Sequence, residues 1–367
     1  MELNQECVLL QNELRKFTQQ VILEKVDELD KTCSFPSDNI KQLAEMGILG
    51  AMVPEDMGGA ALDLMGLVVS LEEIGKVCTS TAIIIATHNV LFINPILKFG
   101  SDEMKKKYLP PAATGEIIGG SANFTTNEIT TEQQDENVLL NGKNPFVLNA
   151  EANGPFTMFL PTSEHKKEVS VFIVENPSPG VKISKNQNII GLKAAGISEV
   201  IFKNYSVLSN TVIRKGHEGS AVLRETQDMA RICFAAIALG IAQGATETAI
   251  KYAKERIQFN ETIITFGMIR EMIADMTTKI EAARLLTYNA AMKYDADKNY
   301  CRAAAIAKYF TGQAAVEITT SAIQILGGYG YMKDYPVERY FRDAQVINVL
   351  GDLPAEEKEN IVRETIG

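Results

Sequence analysis

The sequence predicts an α+β fold in three consecutive parts: helices, then strands, then helices again. Apolar residues recur at helical spacing up to about residue 118 and again from about residue 220. Between them, over 120–215, short apolar or alternating runs are separated by Asn, Gly and Pro, as is typical of strands and turns. We therefore predict an N-terminal α-helical domain (1–118), a middle β-barrel-like domain (119–216) and a C-terminal four-helix bundle (217–367).

The first part is built from several predicted helices. One helical face carries the apolar residues Leu10, Leu14, Phe17 and Val21. The run PEDMGG, with its proline and two glycines, predicts a turn after a second helical stretch. A helix over 65–76 and another through the strongly apolar run TAIIIATHNVLFINPIL follow, and an amphipathic piece over 104–108 ends this part.

The middle and last parts differ in their apolar period. Runs such as VLLNG, FTMFLPT, VSVFIVE and SEVIFKN predict short strands. Three long stretches rich in Ala, Ile, Leu and Met, over 222–258, 266–295 and 300–326, predict a helical bundle. Because these helices have few polar faces, we expect part of their surface to be buried against another subunit.

Composition excludes several classes of function. The net charge of −10 and the absence of a basic run longer than Lys105–Lys107 argue against a nucleic-acid-binding surface. The five cysteines and three histidines are widely scattered, so we expect reduced thiols and no metal site. The N-terminus does not read as a signal peptide and no stretch reads as a membrane span, so we expect a cytoplasmic protein.

The most informative motif is QILGGYGYMKDYPVERYFRDA, residues 324–344. Its glycines stand where an apolar helix stops, and glycine there permits a positive φ and the close approach of a ligand or another chain. Pro336 then redirects the chain before a segment of alternating charge. A helix C-cap followed by a polar turn accounts for some of these features but not for all of them together.

This motif resembles the FAD-binding stretch of the acyl-CoA dehydrogenase family. The runs MGILGAMVPEDMGG, ILKFGSDEMKKKYLPPAATGE and ALGIAQGATETAIKYAKERIQF are similar to that family in the same order, so the resemblance covers nearly the whole chain. It implies a flavoprotein oxidoreductase of fatty acid metabolism that uses FAD and acts on an acyl-CoA or acyl-carrier-protein thioester. It also implies an electron-transfer flavoprotein as electron partner and a dimeric or tetrameric assembly, either a homotetramer or a hetero-oligomer.

The resemblance also implies which residues bind these groups. For FAD they are Arg256, Phe259, Gln324, Gly327, Gly328, Thr125 and Phe146. The arginine of the Arg-x-x-Phe match would pair with the pyrophosphate across a subunit interface, where its planar guanidinium suits phosphate geometry. Asp228 and Arg231 match the Asp-x-x-Arg that contacts the acyl-CoA, although an ordinary i,i+3 ion pair at a helix start is the alternative interpretation.

The chain departs from the family's pattern where the reaction takes place. The position that matches the family's catalytic glutamate is Gly351, so the catalytic base is unknown. Asp352 is the nearest acid, but it is shorter and displaced by one residue, and a base must first reach its proton. Leu148 stands where the family has a hydrogen-bond donor to the flavin. We interpret His88, which lies in an apolar run, as a core histidine.

Three functions remain open from the sequence. The first is an oxidoreductase on the CH–CH group of an acyl thioester, by α-proton removal and β-hydride transfer to FAD or by the reverse reduction. The second is a catalytically impaired subunit that completes the FAD site of an active paralogue in a hetero-oligomer. The third is a flavin monooxygenase or oxidase on the same fold, for which the sequence offers no positive feature.

Overall fold

The fold is described from a computed structural model of the chain. The structure describes residues 3–122, 128–134, 137–161, 168–186 and 188–366. Its first part consists of helices α1 (Gln5–Phe17), α2 (Val26–Thr32), α3 (Ser37–Glu45), α4 (Leu64–Gly75), α5 (Thr79–Ala86), α6 (Asn94–Phe99) and α7 (Asp102–Ala113). Side-chain caps from Asn4, Asp63 and Ser101 begin three of them, as expected from the propensity of Asn, Asp and Ser for this position. The helix α4 is buried along its whole length.

The strands that follow form one mixed sheet. They are β1 (Gly120–Ala122), β2 (Ile129–Gln134), β3 (Asn137–Leu148), β4 (Phe156–Pro161), β5 (Val169–Val174), β6 (Val181–Asn186), β7 (Ser198–Val207) and β8 (Val212–Arg214). Among the described strands the hydrogen-bonded order is β6-β7-β3-β1-β4-β5-β8, with β2 paired to β3. The strands β1 and β4 are parallel, and β1 pairs with β3 so that Ser121 lies opposite Leu148. This register fixes where the end of β3 meets the helices.

The last part is a helical bundle. It comprises α8 (Gly216–Glu255), the hairpin strands β9 (Ile257–Gln258) and β10 (Glu261–Thr262), α9 (Gly267–Asp295), α10 (Cys301–Leu326), α11 (Val337–Val349) and α12 (Pro354–Ile366). The helix α8 packs on α9, α10 and α11 and also on α4, which joins the first and last parts of the chain. The α+β prediction, with helices at both ends and strands between them, is confirmed.

Two helical runs are long and apolar enough to cross a membrane by length and composition alone, contrary to the expectation from sequence. They are Thr79–Phe99, in which a π-helical stretch joins α5 to α6, and Gly216–Glu255. The most apolar window of each is 83% and 94% buried inside the protein, as in core helices. The expectation that another subunit covers such faces is wrong for the apolar stretch of α8, because helices of the same chain already cover it.

Candidate active site

A cavity of about 40 Å³ lies where α8, the end of β3 and the segment between α11 and α12 meet. Part of its lining is apolar, with Leu91, Leu148 and Phe234, and part is charged. Gly351 also lines it. A volume of this size holds one or two water molecules. A larger ligand therefore requires lining side chains to move.

The charged part of the lining is centred on Arg231. We call Arg231, Asp228, Lys308, Asp352 and Glu357 the inner cluster. The two terminal nitrogens of the Arg231 guanidinium donate to Asp228 and to Asp352, and its Nε lies 3.3 Å from Oε1 and 3.2 Å from Oε2 of Glu357. The arginine is only 8% exposed. Three carboxylates thus share one buried guanidinium, an arrangement that offsets the desolvation of each charge.

Burial shifts the protonation equilibria of the inner cluster. Desolvation raises the pKa of Glu357, although Arg231 and Lys308 favour its charged form. Desolvation lowers the pKa of Lys308, although Glu357 and Asp352 favour the ammonium. The Lys308 Nζ donates to the backbone carbonyl of Asn348 over 3.3 Å, which gives this buried cation one fixed partner.

The two proposed substrate residues, Asp228 and Arg231, are therefore brought together, and they form the ion pair of the alternative interpretation as well. Asp352, the nearest acid to Gly351, lines the cavity, but its carboxylate pairs with Arg231. Sequence reasoning did not assign Glu357 or Lys308 to the site, because a lone Glu or Lys is normally a surface residue.

A signal for Glu357 was present at the start of α12. Pro354 is the first helical residue, where proline is favoured, and Glu356 two positions later accepts a 2.7 Å hydrogen bond from the backbone N–H of Leu353. This is one half of a capping box. It fixes the rotation of the helix, so that Glu357 faces inward while Glu356 and Lys358 stay exposed.

Gly351 occupies a backbone conformation that suits glycine. Its φ is +88°, in the region that L-residues with a side chain rarely adopt. A Cβ built there would lie 3.4 Å from the Phe234 ring, so the strain at this position comes from the backbone more than from the neighbours. The chain therefore presents no carboxylate from position 351 and has a local geometry adapted to its absence.

His88 is a core residue in the structure, as interpreted from the sequence. It is fully buried, and the backbone N–H of Gly119 donates to its Nδ1 over 2.8 Å. Its Nε2 therefore carries the hydrogen and donates to the carbonyl of Ala112 over 3.0 Å. Burial lowers the pKa of His88 to about 4, which keeps the ring neutral. Its role is to tie the helices to the residues before β1.

Five of the proposed FAD residues lie outside this cavity, on the protein surface. We call Arg256, Phe259, Gln324, Gly327 and Gly328 the outer face; all five are exposed. Arg256 follows the last residue of α8 as its C-cap, and its guanidinium lies over the Tyr329 ring, 5.7 Å from the centroid. The groove beside it, of about 630 Å³, is also lined by Lys251 and Thr248. Among the described residues no carboxylate forms an ion pair with Arg256, so its guanidinium remains available to an anion.

The outer face fits the phosphate end of a dinucleotide that approaches from outside the chain. Gly327 has a φ of +59°, and a Cβ on Gly327 or Gly328 would meet no atom within 4 Å. The backbone there is open to close approach. The flavin end fits less fully. Phe146 is 47% exposed and can pack on a ring, whereas Leu148 offers only an apolar side chain to the cavity. Thr125 lies outside the described residues.

Comparisons with known proteins agree over the whole chain. Models of the acyl-CoA dehydrogenase N-terminal, middle and C-terminal domains match residues 4–116, 112–205 and 217–351. An acyl-CoA dehydrogenase of Bacillus subtilis is 36% identical over 359 residues, 95% of both chains. A 3-(aryl)acrylate reductase of Clostridium sporogenes is 36% identical over 351 residues, 93% of both chains. The structure of butyryl-CoA dehydrogenase from Megasphaera elsdenii is similar with a TM-score of 0.95, 29% identity and full coverage of both chains.

Proposed function

This chain belongs to the acyl-CoA dehydrogenase family, and we propose that it is an FAD-dependent oxidoreductase acting on the CH–CH group of an acyl thioester. The observation that carries the proposal is the cavity beside Gly351, in which an apolar lining meets the buried Arg231 and its carboxylates. Apolar groups suit the acyl carbons, and a guanidinium with several acids suits a polar thioester and a proton to be moved.

Different residues of the chain would bind FAD and the thioester. Arg256, Gln324 and the Gly327–Gly328 turn would hold the pyrophosphate end of FAD, with Phe259 beside them, and Phe146 would pack on the ring. When bound, FAD supplies the two-electron chemistry, as hydride acceptor or donor. Asp228 and Arg231 would position the thioester, with Arg231 fixed by its ion pairs.

Direction of reaction and assembly belong to the same proposal. The names of the two relatives cover both directions, a dehydrogenase and a reductase, so either fits the family. The exposure of the outer face supports an oligomer in which a neighbouring subunit's FAD reaches it, and we propose a homotetramer that passes electrons to an electron-transfer flavoprotein. None of the five cysteines, all of which the structure describes, forms a disulfide, which supports a reducing compartment, the cytoplasm.

An absorbance titration tests the function. We expect the purified chain to bind about one flavin per subunit and, under anaerobic conditions, to bleach when mixed with saturated acyl-CoA thioesters of aliphatic and aryl type. For the reverse direction, the photoreduced protein should reoxidise with the corresponding enoyl-CoA. Bound flavin that responds to none of these thioesters in either direction would contradict the proposal.

A second function is favoured by one specific contrast. Gly351 offers no carboxylate where the family has its base, while Arg256 and the Gly327–Gly328 turn remain open to a ligand from outside the chain. A subunit with this pattern could complete the flavin site of an active paralogue without turning over itself. A colourless homo-oligomer that acquires flavin only when mixed with such a paralogue would support this function instead.

A further inference from the structure

Glu357 is an acidic residue of the cavity lining to which the family resemblance assigns no role. Its side chain is only 1% exposed, and it lines the same cavity as Gly351, Ala230 and Phe234. A carboxylate is rarely this buried unless it is paired or used. Its neighbour Glu356 caps the helix and stays exposed, so the burial belongs to this one position.

The three carboxylates of the inner cluster are not equivalent. Asp228 and Asp352 each accept a hydrogen bond from a terminal nitrogen of Arg231. Glu357 faces only the Nε of that guanidinium, and within the described residues its Oε2 accepts no hydrogen bond of good geometry. Oε2 lies 3.2 Å from the Arg231 Nε without a well-aligned hydrogen bond, so Glu357 is the carboxylate that the guanidinium holds least firmly. A buried carboxylate oxygen without a well-aligned donor is costly in a site that serves only stability.

The charged groups around Glu357 and its burial together set the pKa of its carboxyl. Arg231 and Asp228 come from α8, Lys308 from α10 and Asp352 from the segment before α12. Burial raises the pKa of Glu357, and the two cations limit that rise. A general base works best when its pKa lies near the operating pH, which an exposed glutamate does not reach.

We propose that Glu357 is the catalytic residue that exchanges the α-proton of the thioester, supplying from α12 the carboxyl that position 351 lacks. This inference rests on the proposed function. In the oxidative direction the carboxylate takes the α-proton, and the electron pair of that C–H bond becomes the second bond of the new C=C. The hydride of the β-carbon would pass to FAD, which when bound would serve as the two-electron oxidant. In the reductive direction the protonated carboxyl returns its proton to the α-carbon.

The test compares Glu357→Gln with Glu359→Gln, which removes an exposed acid two residues along the same helix. We expect Glu357→Gln to slow flavin reduction by about 100- to 10,000-fold, the range attributed to a general base. Exchange of the thioester α-proton with D₂O, followed by NMR, should fall in parallel, while flavin content and thioester affinity stay within about twofold. Glu359→Gln should match the wild type in every measurement.

Two further measurements keep the inference open to refutation. Glu357→Asp retains the charge but withdraws it by one methylene, and we expect slower exchange with normal flavin content even if the Gln variant folds poorly. With ¹³C-carboxyl-labelled glutamate, one resonance should titrate above the usual glutamate range in the wild type and be missing from Glu357→Gln.

The outcomes separate the two levels of the proposal. A wild type that exchanges and turns over a thioester, with a Glu357→Gln variant equally active, would overturn the role of Glu357 and leave the proposed function standing. A wild type with bound flavin that neither exchanges nor turns over any thioester would overturn the proposed function, and this role with it.

Discussion

Two arginines, one inside α8 and one at its C-cap, show how differently the same side chain can be presented. Arg231 lies in the buried middle of the helix, where Asp228, Asp352 and Glu357 surround its guanidinium. Arg256 is the C-cap residue of the helix and is exposed, with its guanidinium over the Tyr329 ring. The first guanidinium is committed to carboxylates of its own chain, and the second is available to an external anion. The contrast separates the site proposed for the thioester and its proton from the site proposed for the FAD phosphates.

The largest expected effect is on stability at the inner cluster. Arg231→Ala leaves three carboxylates without their shared cation, and removing one partner of a buried ion pair typically costs about 3–5 kcal/mol. We expect the free energy of unfolding, measured in urea at neutral pH, to fall by that amount. Arg256→Ala serves as the control and should unfold at the wild-type urea concentration. Equal losses in both variants would remove the contrast between the two arginines.

The next effect is on flavin affinity at the outer face. Arg256→Gln removes a charged donor, whose hydrogen bonds are worth about 1.5–3 kcal/mol, so we expect FAD to bind about 10- to 100-fold more weakly. Equilibrium dialysis of the oligomer measures this directly. Lys254→Gln, an exposed cation two residues earlier, is the matched control and should change little. If both variants bind FAD equally well, the outer face does not hold the pyrophosphate.

Sequence reasoning reached the outer face more easily than the inner cluster, for a physical reason. Arg256, Gln324 and the glycines stand in contiguous motifs, and the φ of +59° at Gly327 is what such a glycine predicts. The inner cluster joins Asp228 and Arg231, which the Asp-x-x-Arg spacing pairs, to Lys308 of α10 and Glu357 of α12, which lie far from them in sequence and belong to no motif. Only tertiary packing brings Lys308 and Glu357 together.

The same distinction applies to the fold. Long helical periods such as those of α8 to α10 are visible in the sequence, and the strand region is marked by its turns. What covers an apolar helix is not visible, because α4, distant in sequence, packs on α8 as another subunit would. The expectation of subunit burial for that stretch was wrong for this reason.

The inner cluster should also make stability depend on pH. The raised pKa of Glu357 lies above its unfolded value of about 4.3. Between these two values the folded chain binds more protons than the unfolded chain, so the free energy of unfolding falls as pH rises through that window. Glu357→Gln removes this contribution. We therefore expect the free energy of unfolding of Glu357→Gln, measured in urea, to depend less steeply on pH from about pH 4.5 upward.

The pH dependence of stability has opposite signs for Glu357 and its neighbour Lys308. The lowered pKa of Lys308 lies below its unfolded value of about 10.4. Between these two values the folded chain binds fewer protons than the unfolded chain, so the free energy of unfolding rises with pH. Because the Glu357 carboxylate favours the Lys308 ammonium, Glu357→Gln should extend that alkaline rise toward lower pH, and Glu359→Gln should leave the whole profile unchanged. If the free energy of unfolding changes equally steeply with acidic pH in the wild type and in Glu357→Gln, then Glu357 does not titrate as its burial requires.

The smallest expected effect concerns the hairpin on the outer face. Phe259 and Asn260 form the two-residue turn between β9 and β10 with φ values of 52° and 66°. A turn with both residues at positive φ favours Asn and Gly, and a bulky residue there is strained. Phe259 is 91% exposed, so packing within the chain does little to offset that strain. We expect Phe259→Asn to stabilise the chain by about 0.5–1 kcal/mol in urea unfolding.

A residue kept at such a position against its backbone preference indicates a contact outside the chain. We therefore expect Phe259→Asn to weaken FAD binding or oligomer formation while it raises stability, as measured by dialysis and sedimentation. Asn260→Gly relieves the neighbouring positive φ without removing the phenyl ring, so it should raise stability and leave binding intact. Loss of stability in Phe259→Asn would show that the ring supports this chain's own hairpin, and the outer face would then consist of Arg256 and the glycine turn without it.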